Sequence, residues 1–321
     1  MSNFWRQLVN PFFILAPMDD VTDVVFREVV AQVSKPDVFF TEFTNVAGLC
    51  SAGKKALLVR LKYTENQRPI VAQIWGSTPK NFEAVAAELV EMGFDGIDIN
   101  MGCPEKGVIA RGQCAGLIEN HQLAGQIIEA TLKGAKDKIP VSVKTRIGIN
   151  KIVTDEWLPF LLQFPLAAIT VHGRTAAEMS RVPCHWDQIG KAVNIRDKRQ
   201  GKRDKKTLIV GNGDVKDREQ GMKLAKDYGV EGVMIGRGVF EDINCFTINH
   251  EPLTINQRLN LLLVHARLFD EIWGQTKPFV LMRKFAKVYI KDFPGASELR
   301  TKSMETQLLS EMEKVISESA F

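Results

Sequence analysis

Long apolar runs are absent from this 321-residue chain: none reaches the roughly 18 residues that a membrane helix needs. The opening stretch MSNFWRQLVNPFFILAP has no basic n-region, long apolar core or small-residue cleavage site, and Pro11 and Pro17 interrupt it, so no secretory signal is expected. Cysteines are few. The five present (Cys50, Cys103, Cys114, Cys184, Cys245) form no C-x-x-C pair, which disfavours a disulfide framework or a zinc ribbon and favours a reducing cytosol. Cys184 and His185 are adjacent, but nothing nearby completes a ligand set, so no metal is expected. A G-x-x-x-x-G-K-[ST] loop is missing, as is a Rossmann glycine fingerprint after the first strand-like segment; NTP hydrolysis and a Rossmann nicotinamide site are disfavoured. With 45% hydrophobic and 25% charged residues, 24 Gly and 13 Pro, disordered and collagen-like classes are excluded too.

Charge is present but unevenly spread. The net charge is +4, yet eight basic and two acidic residues fall within 191–206, leaving the remainder slightly acidic. A second stretch, 277–291, holds Lys277, Arg283, Lys284, Lys287 and Lys291 without an acid. Such runs suit a polyanion partner, and the alternative is a solvated loop and a solvated helix face. Arg283, Lys287 and Lys291 are spaced by four, so they form one basic stripe if 279–290 is helical.

Short apolar and β-branched segments recur at 12–16, 38–42, 70–75, 96–100, 141–145, 168–172, 208–211 and 232–235. Between them lie amphipathic helical patterns such as 81–92 and 217–228, with Thr78-Pro79 as a helix start and Gly93 as a stop. The strand segments are continuously apolar rather than alternating, as in a parallel sheet covered on both faces. Eight strand–helix units predict an α/β protein of the (β/α)8 TIM-barrel type, with a doubly wound open sheet as runner-up. From 255 onward only helical patterns remain, at 255–274, 277–291 and 298–318. A barrel over 1–245 followed by a small helical-bundle domain over 246–321 is therefore expected.

Barrel chemistry sits at the C-terminal ends of strands. There the sequence reads Ala16-Pro17-Met18, Gln73, Asn100-Met101-Gly102-Cys103-Pro104, Lys144-Thr145-Arg146, His172-Gly173-Arg174, Gly211-Asn212-Gly213-Asp214 and Gly236-Arg237-Gly238. The last two loops are glycine-rich and suit a phosphate, although the same glycines also make tight turns. Lys144 and Arg146 alternate along one strand and point the same way. A lysine in a barrel mouth needs an anion, either a phosphate or the N1/C2=O edge of a reduced flavin. A lone cysteine is most often inert and buried, but Cys103, on a loop just past a strand end, is placed to react, whereas Cys114 reads as packing.

The segments ILAPMDDVTD, TEFTN, VAQIWG, GIDINMGCP, SVKTRIG, TVHGRT, GNGD and MIGRG, in that order, resemble the tRNA-dihydrouridine synthase family across nearly the whole barrel. The resemblance implies a cytoplasmic, monomeric, metal-free flavoenzyme that uses FMN and NADPH to reduce the C5–C6 bond of a uridine in tRNA. It implies flavin contacts from Pro17, Met18, Gln73, Lys144 and His172, and ribityl and phosphate contacts from Asn212, Gly213, Asp214, Gly236 and Arg237. Cys103 matches the proton donor to C5. Asn100, Lys144 and Arg146 match residues that hold the uracil, and the stripe Arg283, Lys287, Lys291 would meet RNA phosphates. The chain departs from the family pattern at Ser180, where many relatives have Tyr, and at Gln113 and Cys114, where small residues are usual. Two other classes stay open at this level: a flavin reductase for a small molecule on the same barrel, and an RNA-binding protein without redox activity.

Overall fold

The structure is a computed structural model that describes residues 3–201 and 206–319. Eight parallel strands, β1 (Phe12–Leu15), β2 (Val38–Phe40), β3 (Ile70–Trp75), β4 (Gly96–Met101), β5 (Val141–Arg146), β6 (Ala168–His172), β7 (Leu208–Asn212) and β8 (Gly232–Ile235), pair in sequence order. β8 returns to β1 in the register Phe12↔Gly232 to Leu15↔Ile235, so the sheet closes into a TIM barrel and the open-sheet alternative falls. Each of these eight strands starts at the expected residue, and a two-residue strand outside the expected eight, Thr44–Asn45, also pairs with the end of β3. The largest difference is the end of β2 at Phe40: Glu42 has left the ladder to accept a hydrogen bond from Asp20 N (2.7 Å) and to pair with Arg60 (3.4 Å).

Six long helices cover the barrel: α1 (Val24–Val33), α2 (Pro79–Glu91), α3 (His121–Ala135), α4 (Thr154–Leu161), α5 (Trp186–Gln200) and α6 (Arg218–Tyr228). β2 and β8 are followed only by single-turn helices. α2 begins with Pro79 at its first turn and stops before Gly93, whose φ of +78° suits glycine. Two apolar layers result from the alternation of side chains along each strand. Phe13 and Leu15 face the helices, whereas Phe12, Ile14 and Ala16 face inward with Val38, Phe40, Val71, Val210 and Met234. Trp5 closes the lower end against Phe12 and Phe40, at ring distances of 5.6 and 6.3 Å. Higher in the barrel the same inward parity carries polar groups.

The described part of the basic run, residues 191–201 and 206, does not line the barrel mouth. Most of it forms α5, which returns antiparallel to the strands, so its C-terminal end and the approach to β7 lie at the opposite end of the barrel. Arg196 is buried against Glu231 (2.6 Å), Lys206 pairs with Glu231 (3.2 Å) and Lys191 pairs with Asp155. These cations serve the fold; Lys202, Arg203 and Lys205 lie outside the described residues.

The C-terminal region is helical: α7 (Ile255–Trp273), entered through a Thr254–Gln257 capping box, α8 (Ala296–Glu305) and α9 (Leu309–Ser317). The expected helix over 277–291 is instead a 3-10 segment, Phe279–Phe285, followed by one α-turn. Phe279, Met282 and Phe285 are the buried residues of that segment, and their spacing of three matches three residues per turn. The spacing of four between Arg283, Lys287 and Lys291 therefore makes no straight stripe. Arg283 donates to Met304 O (2.6 Å) and Lys291 to Phe240 O (2.8 Å), while Lys287 is exposed.

Asp23 joins barrel to tail. One carboxylate oxygen caps α1 through Val25 N (3.1 Å) and Phe26 N (3.0 Å), and the other accepts from Trp273 Nε1 (2.8 Å) at the end of α7. Replacing Asp23 by Ala removes a cap worth about 1 kcal/mol and strands a buried indole N–H at about 1–3 kcal/mol. Urea denaturation of Asp23→Ala is expected to show a stability loss of about 2–4 kcal/mol at unchanged m value, with Asp23→Asn losing less.

Candidate active site

A cavity of about 610 Å³ opens at the C-terminal ends of the strands. Pro17, Met18, Asn100, Cys103, Lys144, Arg146, His172, Asn212, Gly213, Asp214, Gly236 and Arg237 all border it, so side chains up to 220 residues apart in sequence meet there. Gln73 does not. It is fully buried in the layer below, its Nε2 donating to Asp98 (2.8 Å) and its Oε1 accepting from Asn100 (2.9 Å). Arg283, Lys287 and Lys291 do not line the cavity, although Lys291 donates to the carbonyl of Glu241, which does.

The wall is cationic and incompletely paired. The Lys144 ammonium makes no hydrogen bond or ion pair among the described residues, and burial, aided by the neighbouring Arg146, pulls its pKa down to about 8. His172 is held neutral: burial, then the charges of Lys144, Arg146, Arg174 and Arg237, keep its pKa well below the usual value. Its Nε2 is buried without a partner. Both observations fit an anionic or hydrogen-bonding ligand, because an unsatisfied buried polar atom costs about 1–3 kcal/mol. Arg174, which the strand-end reading named without a role, is 3% exposed and pairs with Asp214. Asp214 also holds Arg237 (3.3 Å) and accepts from Cys184 N (3.0 Å). Gly213 between them has φ +126°, and a Cβ there would stand 2.5 Å from Cys184 Sγ and 3.0 Å from His172 Cδ2. Only glycine fits that turn.

The loop after β4 is pinned from both sides. Asn100 Oδ1 accepts from Gly102 N and Cys103 N (both 3.0 Å), and Arg146 Nε donates to Gly102 O (2.7 Å). Arg146 Nη1 reaches Thr175 O (3.0 Å), so this arginine ties three strand ends together as well as facing the cavity. Cys103 is half-buried at the wall. Cys114 is buried, as packing requires, but its thiol also neighbours the Cys103 sulfur. The Cys114 thiol, the Glu105 backbone and the charge of Arg146 together favour the Cys103 thiolate and lower its pKa to about 6, against the opposing effect of burial. The same contact, with burial, pushes Cys114 up. Cys103 is thus not the ordinary thiol that its sequence context suggests. A carboxylate cluster at the rim, Asp19, Asp20 and Glu42, closes around the Arg60 guanidinium. Among the described residues no helix is long and apolar enough to cross a membrane.

A family model described as Dihydrouridine synthase (Dus) matches residues 14–321. The chain is 44% identical over 320 residues to the Bacillus subtilis (strain 168) protein named "Probable tRNA-dihydrouridine synthase 2", covering 98% of this chain and 96% of that one. It is 43% identical over 322 residues to "Probable tRNA-dihydrouridine synthase" of Staphylococcus aureus (strain MRSA252), covering 99% and 95%. Among solved structures, KGPDC from Streptococcus mutans overlays with a TM-score of 0.43 at 14% identity, over 83% of this chain and all of that one.

The thiol pair makes a prediction independent of any activity. Alkylation by iodoacetamide follows the thiolate, so Cys103 is expected to react with a pH midpoint below the ~8.5 of a free cysteine. Removing the donor in Cys114→Ala raises the Cys103 pKa and moves that midpoint upward. Peptide mass spectrometry of the alkylated protein across pH 5–9 (roughly the range that brackets a thiol) measures it; an unmoved midpoint rules out the contact.

Proposed function

The chain belongs to the dihydrouridine synthase family, and on that premise we propose that it reduces the C5–C6 double bond of a uridine in tRNA to 5,6-dihydrouridine, with FMN as cofactor and NADPH as reductant. One observation carries the reading. An unpaired lysine ammonium, an orphaned histidine nitrogen and a cysteine with a stabilised thiolate border a single cavity at the barrel mouth.

Lys144 and His172 Nε2 offer a charge and a hydrogen-bonding atom to the polar edge of a flavin ring, and Pro17 and Met18 offer an apolar shoulder. Gln73 acts from beneath, through Asn100. Asn212, Gly213, Gly236 and Arg237 suit the ribityl chain and phosphate. Asp214 serves there by holding Arg174 and Arg237, since a carboxylate would repel a phosphate directly. Bound there and reduced by NADPH, FMN would supply a hydride for uracil C6. Cys103 gives its Sγ proton to C5, and the thiolate left behind is stabilised by Cys114, by the Glu105 backbone and by Arg146 before it regains a proton from water. With its pKa lowered to about 6, Cys103 is mainly thiolate in the free protein near neutral pH. A uracil covering the cavity strips water from that charge and raises the pKa, so the thiol takes up a proton from water on binding and then donates it.

The uridine must be splayed out of its stack to enter a barrel. Asn100, Lys144 and Arg146 border the space where it is held. In this reading a monomeric, cytoplasmic, metal-free enzyme uses residues 1–245 for flavin chemistry and 246–321 for the tRNA body. Lys287 meets phosphate directly, and Arg283 and Lys291 add charge while bonded to backbone carbonyls.

The purified protein is expected to release FMN on heating, identified by chromatography; FAD, or no flavin after reconstitution, overturns the cofactor. Cys103→Ala separates the two half-reactions. NADPH reduces the bound flavin at near wild-type rate, because that step needs no acid at C5. Single-turnover oxidation of the reduced protein by unmodified tRNA falls by about 10²–10⁴-fold, the usual worth of a general acid. An undiminished rate removes Cys103 from the chemistry.

A further inference from the structure

Directly under the cavity floor lies a line of buried polar side chains that runs from the barrel interior to the Cys103 loop. Asp98 Oδ1 accepts from Ser142 Oγ (2.6 Å) and Asp98 Oδ2 from Gln73 Nε2 (2.8 Å). Gln73 Oε1 then accepts from Asn100 Nδ2 (2.9 Å), and Asn100 Oδ1 accepts from the backbone N–H groups of Gly102 and Cys103 (3.0 Å each). Asp98, Gln73 and Ser142 are essentially inaccessible, and Asn100 is 6% exposed.

We propose that Asp98 is a positioning residue: as an obligate acceptor it sets the direction of the Gln73 and Asn100 amides, and through them it holds the Cys103 loop in its reactive pose. The proposal rests on the reading of Cys103 as proton donor. Its basis is the polarity of the line. An ionised carboxylate can only accept hydrogen bonds, so Gln73 must present its NH2 group to Asp98 and its oxygen to Asn100. Asn100 must then present its NH2 to Gln73 and its oxygen upward, where two backbone donors wait. Turning either amide over opposes NH2 to NH2 or oxygen to oxygen at a buried site, and each such mismatch carries the penalty of an unsatisfied buried group. Carboxylate at one end and backbone N–H at the other therefore permit a single arrangement. Asp98 is kept as an acceptor by its two donors and by Lys144, the facing charge on β5, which oppose the larger effect of burial; its pKa rises only to about 6.

Asparagine at 98 preserves the direction, because its oxygen still accepts from Gln73 while its NH2 donates to the Ser142 hydroxyl. Alanine leaves the lower end of the line unset: Gln73 Nε2 loses its acceptor, and only the backbone N–H groups of Gly102 and Cys103 still orient Asn100. In flavin-loaded full-length protein, Asp98→Ala is expected to slow single-turnover transfer to tRNA by about 10–10²-fold, the scale of an ångström-sized misplacement, with flavin reduction by NADPH within about threefold of wild type. Asp98→Asn recovers most of the transfer rate. Should Asp98→Ala not fold, Asp98→Ser replaces it, since a hydroxyl donates as readily as it accepts and leaves the direction equally unset. The proposal is overturned if the unset variant transfers at wild-type rate, if both half-reactions slow equally, or if Asp98→Asn is as slow as alanine. A second arm needs no catalysis: at fixed pH, iodoacetamide alkylation of Cys103 should change at least about threefold in the unset variant and not in Asp98→Asn. Wild-type protein that makes no dihydrouridine would refute the functional reading alone, and an unchanged alkylation rate would refute the positioning role.

Discussion

Closure of a parallel barrel imposes parity on everything above its floor. Residues two apart on a strand share a face, and in a closed barrel one face has no exit except the two ends. At the lower end the inward positions are Phe12, Ile14, Val38, Phe40 and Val71, capped by Trp5, and they make a dry plug. Two to four residues later on the neighbouring strands the same parity delivers Gln73, Asp98, Asn100, Ser142, Lys144, Arg146, His172 and Asn212. The site is the upper continuation of the core.

A polar layer inside a barrel must satisfy its own hydrogen bonds, and the two levels of this one do so differently. The deeper level, Ser142–Asp98–Gln73–Asn100, is saturated and rigid. The upper level is left open: among the described residues Lys144 makes no ion pair and His172 Nε2 has no hydrogen-bond partner, while Arg174 and Arg237 are drawn together by Asp214. Rigid support below unsatisfied groups is the arrangement that binds a ligand without reorganising. Cys103 sits at the junction, held by Asn100 from the saturated level and tuned by Cys114 and Arg146 at the open one.

The basic residues show why charge counts mislead. Arg196 and Lys206 neutralise Glu231 at the far end of the barrel, and Lys191 pairs with Asp155 at the start of α4. In the tail, Lys284 donates to Asp20 O and Lys291 to Phe240 O, so lysines fasten the helical region to the barrel beside the Trp273–Asp23 bond. A cation near a backbone carbonyl keeps its charge for a polyanion but gives up its freedom to reach one.

The sequence by itself determined the barrel, because eight continuously apolar segments followed by helical patterns leave few ways to bury both faces of a sheet. Strand starts were legible to the residue, and so was the list of polar groups at strand ends. Other features depended on distances that no local pattern carries. Cys114 reads as packing until the loop after β4 brings its sulfur to Cys103. Gln73 reads as a wall residue until the stagger of the strands puts it one layer lower. Asp98 had a signal, the inward parity of Asp98 and Asn100 in GIDIN, but its partner Ser142 is 44 residues away. The spacing of four among Arg283, Lys287 and Lys291 promised a stripe, and the spacing of three among Phe279, Met282 and Phe285 prevailed, because burying aromatic surface outweighs the alignment of solvated charges. Periodicity is a local property and survives in one dimension; pairing between polar groups is set by strand stagger and loop path, and only the folded chain supplies those.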